Sequence, residues 1–343
     1  MLANLDVSVA GSVSGGCLES DVMIRAAEVI RKGKAVLVHY DTTTDSDLIF
    51  GSGMGCGGTV DILLEPASSE SVQRLMRALE LCVYKRTPFA VGTVFSATDN
   101  QAANLGDSMT LMEGRTEITG LSNPVLRSKI KAGLQQVFNA RQGRATCFEE
   151  QGESVELLFE YVRPPISLLL FGAGDDAIPV SRMATQLGWQ VTVVDHRPDR
   201  VTNDRFPDAT ALITARPDDA VGTIKIGGYD AAVVMTHNFQ RDRDLLSFLL
   251  KSSLKYIGLL GAAKRAERIL AEISGRGVKI EENVVGRLHA PVGLDLKADG
   301  ADEIALSIVA EIQMVLAEGT GVSLHTLRGT ASSHGPVNEG RVK

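Results

Sequence analysis

ISLLLFGAGDDA (residues 166–177) is the stretch on which the fold turns. Its first six residues, nearly all apolar, read as a strand buried on both sides. They run directly into Gly172, Gly174 and Ala177, spaced as G-x-G-x-x-A. Such a turn lets the backbone come close to a pyrophosphate, and the helix it opens offers free N–H groups to the anion. A second strand, QVTVVD (190–195), follows and ends in Asp195, at the spacing where an acid meets a ribose hydroxyl in dinucleotide-binding folds. A doubly wound domain whose first turn merely needs glycine would read the same way, so both readings stand at this point. Asp175 and Asp176 sit where the helix opens. They suit a helix cap, yet they set negative charge beside any bound phosphate. Arg197, just past Asp195, offers a partner for a 2′-phosphate instead.

Further along, TALIT (210–214), DAAVVMT (230–236) and KYIGLL (255–260) are short apolar runs with room for helices between them. DEIALSIVAEIQMVLAE (302–318) makes a long last helix. Continuous apolar strands alternating with helices imply a parallel sheet covered on both faces. His237 follows the strand DAAVVMT, which puts it at the carboxyl edge of that sheet, where ligands bind; a structural histidine is the competing reading. In GLLGAAKRAERIL (258–270), Lys264 and Arg265 fall in the first turn of a helix, where the dipole does not favour cations. A bound anion explains them, as does a solvated basic face.

Towards the N-terminus, adjacent Pro164 and Pro165 suit a short stiff linker. Ahead of it, LESDVMIRAAEVIR (18–31) and SESVQRLMRALELCVY (69–84) carry helical periodicity, the first aligning Leu18, Val22, Ala26 and Val29. KAVLVHY (34–40), TVDILLEP (59–66), PFAVGTVFS (88–96), DSMTLM (107–112) and ESVELLFEYV (153–162) read as strands without regular alternation, an α+β pattern. The expected organisation is an N-terminal α+β domain over 1–162, a C-terminal Rossmann-like doubly wound parallel sheet over 163–325, and a disordered tail over 326–343 whose residues are small and polar.

Two of the four cysteines lie in glycine-rich loops: Cys17 in GSVSGGCLES (11–20), beside Gly15 and Gly16, and Cys56 in GSGMGCGG (51–58), between Gly55 and Gly57. A thiol at a helix N-terminus gains thiolate character, and a soft thiolate suits a soft metal or sulfur chemistry. Tight turns with small buried cysteines are the plain alternative. Cys82 falls in a helical apolar pattern and reads as core, while Cys147 lies in a polar strand. There is no C-x-x-C pair to mark a zinc site and no G-x-S-x-G elbow.

The chain has 343 residues, 44% hydrophobic and 22% charged, which suits two soluble domains. A net charge of -7 disfavours nucleic acid as a partner. No apolar run reaches the ~20 residues of a membrane span, and no secretory signal opens the sequence. Four cysteines in this length are no disulfide framework, so the expected compartment is the cytoplasm.

Six ordered segments together resemble the XdhC/CoxI family of molybdenum-hydroxylase maturation factors. They are GSVSGGCLESDV (11–22), GMGCGGTVDILLEP (53–66), the run from Leu168 to Pro198, MTHN (235–238), YIGLLGAAKRAERIL (256–270) and HAPVGLDLKADGADEIALSIVAEI (289–312). The resemblance implies a cytoplasmic chaperone rather than an enzyme. Such a protein binds the molybdenum cofactor (molybdopterin), protects it during sulfuration and delivers it to an apo-hydroxylase of the xanthine or carbon monoxide dehydrogenase type. It implies a cysteine desulfurase as a second partner and a homodimer. On this reading Gly15, Gly16, Cys17, Gly55, Cys56 and Gly57 line the cofactor, with Cys17 and Cys56 as molybdenum contacts. Gly172, Gly174, Asp195, His237, Lys264 and Arg265 would hold its phosphate or nucleotide end. Family members carry a further strand and a proline-rich turn before the first motif, so the front domain is expected to be short at its N-terminus. Two other readings remain: an NAD(P)-dependent oxidoreductase, with His237 as its acid–base group, and a scaffold that binds no cofactor.

Overall fold

The computed structural model describes residues 1–4, 9–14, 16, 18–41, 58–98, 103–112, 115–150, 153–216, 219, 223–277 and 286–331. The chain divides into two units, Met1–Pro164 and Pro165–Lys343.

In the first unit, two short strands, β1 (Leu2–Ala3) and β2 (Val9–Ala10), pair antiparallel and precede helix α1 (Glu19–Lys32). Leu18, just ahead of the helix, and Val22 pack against Val38, Tyr40 and Ile62 of the hairpin of β3 (Val36–Asp41) and β4 (Thr59–Leu64), and Val29 is buried as well. Helix α2 (Glu70–Tyr84), capped by Ser69, and helix α3 (Pro124–Ala140), capped by Asn123, cover opposite faces of a five-stranded antiparallel sheet. Its strands are β5 (Phe89–Ala97), β6 (Ser108–Met112), β7 (Arg115–Thr119), β8 (Arg144–Glu150) and β9 (Glu153–Val162), in the order β7-β6-β5-β9-β8. The period of two along β5 explains the sandwich. Phe89 and Val91 join Ala78 and Cys82 of α2, while Ala90 and Val94 join Ile130 and Leu134 of α3. Phe159 lies in a slot between Gly92 and Gly133, where a Cβ would come within 2.6 Å and 2.9 Å of its ring.

The second unit is built on a six-stranded parallel sheet of β10 (Ser167–Phe171), β11 (Gln190–Asp195), β12 (Ala211–Thr214), β13 (Ala231–Val234), β14 (Tyr256–Leu259) and β15 (Leu288–His289). The order is β12-β11-β10-β13-β14-β15. Every residue of β10 is buried. Leu168 and Leu170 face helices α4 (Ala177–Gln186) and, after the next two helices in the chain, α7 (Ala301–Leu316). Leu169 and Phe171 face those two, α5 (Phe239–Leu249) and α6 (Ala263–Gly275). Each such leucine contributes roughly 1.5–3 kcal/mol by leaving water. The fold is therefore a doubly wound α/β domain with a Rossmann strand order. A final helix, α8, runs Leu324–Ala331, where the small polar residues from Thr326 on predict no regular structure. Among the described residues, no helix is long and apolar enough to cross a membrane.

Candidate functional site at the carboxyl edge of the parallel sheet

From β10 the chain builds β11 and β12 on one side and β13 to β15 on the other. The crevice between the carboxyl ends of β10 and β13 is thus the topological switch point, where α/β sheets bind ligands. Gly172 closes β10 with φ +111, and a Cβ there would lie 2.4 Å from the carbonyl oxygen of Met235 at the end of β13. Only glycine allows both that dihedral and that approach. The structure brings Gly172, Gly174, Asp195 and His237 to this edge.

Asp195 does not present a free carboxylate. It is 6% exposed. The Ala173 N–H of the glycine turn donates to Oδ2 at 2.8 Å, and the Arg197 guanidinium donates to both oxygens at 3.0 and 2.8 Å. The Arg197 N–H adds a further bond of 2.9 Å, and His196 Nδ1 lies 2.8 Å from Oδ1. Burial pushes this carboxyl up, but the Arg197 and backbone hydrogen bonds outweigh it and hold the pKa well below the usual carboxylate range. Arg197, offered by the sequence as a 2′-phosphate partner, is thereby committed to Asp195.

The two acids at the helix opening are also internally neutralised. Asp175 accepts from Arg200 at 3.1 Å and Arg205 at 2.8 Å, and these arginines hold its pKa down. Asp176 occupies the N-cap position of α4, yet its side chain makes no cap hydrogen bond. The expected cap fails because the carboxylate turns to His237, whose Nε2 lies 2.7 Å away. His237 itself has φ +56, a left-handed backbone that few non-glycine residues adopt.

Arg265 has an internal reason for its place. Its guanidinium lies 2.6 Å from Oδ2 of Asp242, a residue with no exposed surface. That oxygen has no hydrogen bond of ordinary angle, so the contact is a close charge pair. The other oxygen of Asp242 accepts from the Thr236 hydroxyl at 2.5 Å. Asp242 thus ties the turn after β13 to the start of α6. Lys264 is exposed. Motif reading passes over Asp242, although it shares the spacing of the buried Leu245, Leu246 and Leu249 and so stands out as an acid on an apolar stripe.

Beside the glycine turn, on the α5 face, lies a small cleft of about 20 Å³, room for about one water molecule. Phe171, Val194 and Leu245 form its apolar floor, all 3% exposed or less. His196, Thr236 and Arg241 stand at its partly exposed rim.

In the first unit, Gly15, Cys17, Gly55, Cys56 and Gly57 lie outside the described residues. Gly16 has φ +111. Around it, Glu19 accepts from the N–H of Ser14 at 2.8 Å and from its hydroxyl at 2.6 Å, and the Ser14 hydroxyl accepts from the Leu18 N–H at 3.1 Å. The Ser14 bonds hold the Glu19 carboxyl down to about 2. Among the described residues there is no cluster of metal-ligating side chains. Cys82 is buried, and burial raises its pKa; Cys147 is exposed.

The fold and its crevice define a Rossmann-type binding domain joined to an α+β unit. Residues 168–312 match the XdhC Rossmann domain, and residues 1–41 match the XdhC and CoxI family. A probable xanthine dehydrogenase subunit of Bacillus subtilis is 32% identical over 302 residues, covering 88% of this chain and 83% of that protein. This chain belongs to the XdhC and CoxI family. The molybdenum cofactor insertion chaperone PaoD of Escherichia coli is 23% identical over 316 residues, covering 92% of this chain and 77% of that one. The crystal structure of a xanthine dehydrogenase from Bacillus halodurans superposes with a TM-score of 0.71 at 30% identity, covering 94% of this chain and 87% of that one.

Proposed function

We propose that this protein is an accessory factor for a molybdenum hydroxylase of the xanthine dehydrogenase type. It binds the molybdenum cofactor as cargo, assists its sulfuration and passes it to the apoenzyme. The observation that carries this reading is the switch-point crevice. There Gly172, where only glycine fits against the Met235 carbonyl, brings the glycine turn and the opening of α4 to the carboxyl ends of β10 and β13. Those features suit the phosphate-bearing or nucleotide end of a pterin cofactor, with Gly172 and Gly174 at the phosphate. Cys17 and Cys56 are the soft donors for the molybdenum end. The partners of this reading are the apo-hydroxylase, a cysteine desulfurase and a second copy of the chain, all in the cytoplasm.

The NAD(P)-dependent oxidoreductase reading is weakened by Asp195. The acid that would take a ribose hydroxyl is enclosed by Arg197 and Ala173. His237, its candidate acid–base group, is paired with Asp176.

The test is to purify the protein anaerobically from cells making the cofactor, assay bound molybdenum and pterin, and titrate NAD, NADP and flavin nucleotides in parallel. Stoichiometric pterin, lost in the Cys17→Ser/Cys56→Ser double variant, is the expected result. Nicotinamide binding with turnover and no pterin overturns the proposal; unchanged pterin in the double variant removes the two thiols from the site.

A further inference from the structure

We propose that two copies of this chain pair edge to edge and antiparallel through β8, about a twofold axis at Cys147, so that their antiparallel sheets run on as one. β8 is the outermost strand of its sheet, and among the described residues no strand lies on its other side. It is seven residues long, RATCFEE, with no proline, lysine or glycine, and its register with β9 runs without a bulge. Of the devices that usually blunt an exposed edge, proline, lysine, a bulge and shortness are all missing. Its outward backbone groups follow from its neighbour. Ser154 of β9 gives its carbonyl to the Thr98 N–H, just beyond the end of β5, at 3.0 Å. Alternate residues of a strand turn their backbone groups to opposite sides. Val155 thus faces β8 and bonds its partner Phe148, while Ala145, Cys147 and Glu149 aim their N–H and C=O groups at the open edge.

The charges of the strand select a second copy, and in one direction. β8 opens on a cation, Arg144, and closes on two acids, Glu149 and Glu150. With Cys147 opposite Cys147 of the second copy, Arg144 stands opposite Glu150 of the second copy at both ends of the contact. A parallel pairing in register sets like charges together instead. Ala145 stands opposite Glu149 of the second copy, so the outward residues fall in pairs that exchange two hydrogen bonds each. On the α3 face, Thr146 stands opposite Phe148 of the second copy. The Phe148 ring packs edge-on to Phe159, with centroids 6.4 Å apart, and pairing covers its outer flank. Arg144 donates to the amide oxygen of Gln136 on α3 at 2.6 Å, a bond that holds the guanidinium beside the strand. The opposite edge of the same sheet excludes such pairing. β7, RTEIT, carries an exposed Glu117 at its centre, and antiparallel self-pairing there sets two carboxylates directly against each other.

The homodimer of the accessory-factor reading, on which this surface rests for its biological use, thereby gains an interface that needs no cofactor. A contact built on one strand pair belongs with the weak interfaces, under roughly 1,200 Å², so the dimer dissociates on dilution. Sedimentation velocity of the full chain, from about 1 μM to about 1 mM, should show reversible monomer–dimer exchange. Arg144→Glu, which turns two opposite-charge pairs into like-charge pairs, should weaken the dimer about tenfold or more. Glu150→Arg should do the same, and the charge-swapped double variant should regain the original affinity. Ala145→Pro removes an outward N–H without touching a β9 bond and should also weaken the dimer. In the Cys17→Ser/Cys56→Ser background, a short bis-maleimide should join two chains, and a further Cys147→Ser change should abolish that product. Unfolding midpoints check that each variant keeps its fold. A monomer at every concentration, a dimer indifferent to Arg144→Glu and Ala145→Pro, a charge swap that restores nothing, or no crosslink through Cys147 overturns the proposal. Pterin content of the purified protein keeps the two readings apart. A β8 dimer without pterin sinks the cofactor reading and keeps this surface; pterin retained by a monomer, or by a dimer built on another surface, does the reverse.

Discussion

Arg265→Ala takes away the cation that faces the buried carboxylate of Asp242, and Asp242→Asn takes away the charge from the other side. The N–O distance is 2.6 Å. With an effective dielectric near 20, the attraction is about 6 kcal/mol, most of which offsets the cost of desolvating the two ions. The consequence of losing one partner therefore depends on what the survivor can do. Asp242 has no route to water, because its side chain is 0% exposed. After Arg265→Ala it keeps only the Thr236 hydroxyl and the opening dipole of α5. The expected cost is about 3 kcal/mol, at the low end for breaking a buried pair. After Asp242→Asn the amide oxygen still accepts from Thr236, and Arg265, with a side chain 24% exposed, turns to solvent. That variant should lose only about 1–2 kcal/mol. The assay is denaturant unfolding followed by tryptophan fluorescence. The chain has one tryptophan, and Trp189 packs in the core of the second unit, so the signal reports that unit alone. An Asp242→Asn variant as destabilised as Arg265→Ala, or more so, would refute the reasoning.

Two further outcomes follow from the same edge. Gly172→Ala places a methyl group against the Met235 carbonyl at a strained φ. Left-handed strain of roughly 1–2 kcal/mol and overpacking of roughly 1–3 kcal/mol should lower the stability of the second unit by about 2–5 kcal/mol, read from the Trp189 transition; a loss under about 1 kcal/mol would mean the two strand ends are not held this close. Asp195 has a depressed pKa in the folded state, so its charge stabilises the fold above about pH 4, the ordinary carboxylate range, and that contribution fades as the pH falls below it. The stability gap between the wild-type protein and Asp195→Asn should accordingly shrink between about pH 5 and pH 2.5; a constant gap would contradict the assigned role of the Arg197 pair.

Much of the second unit is legible in the sequence because its strands are short, apolar and set at βα spacing, and because one glycine turn follows the first of them. Periodicity locates every strand of the parallel sheet except β15, whose two residues, Leu288 and His289, are too few to carry a pattern. Helix α3 escapes the reading of hydrophobic runs although it carries a local signal: Asn123 accepts from the N–H groups of Val125 and Leu126, and Pro124 occupies the first turn. The candidate site is legible in position but not in wiring. Spacing places Asp195 and Arg265 at the correct edge, yet it reads both as facing a ligand. Side-chain pairing between residues as distant as 236, 242 and 265 depends on how helices settle on the sheet, which spacing along the chain does not encode.

The slot that receives Phe159 carries a consequence for how this domain can change over time. Two separate elements, β5 and α3, have each given up a side chain so that one aromatic ring can pass between them. The three positions are coupled by packing. A larger residue at 92 or 133 has no room until residue 159 is smaller, and a smaller residue at 159 leaves a void until one of the glycines has grown. Drift at this spot must therefore cross a less stable intermediate, which makes Gly92, Gly133 and Phe159 a mutational ratchet within an otherwise adaptable layer.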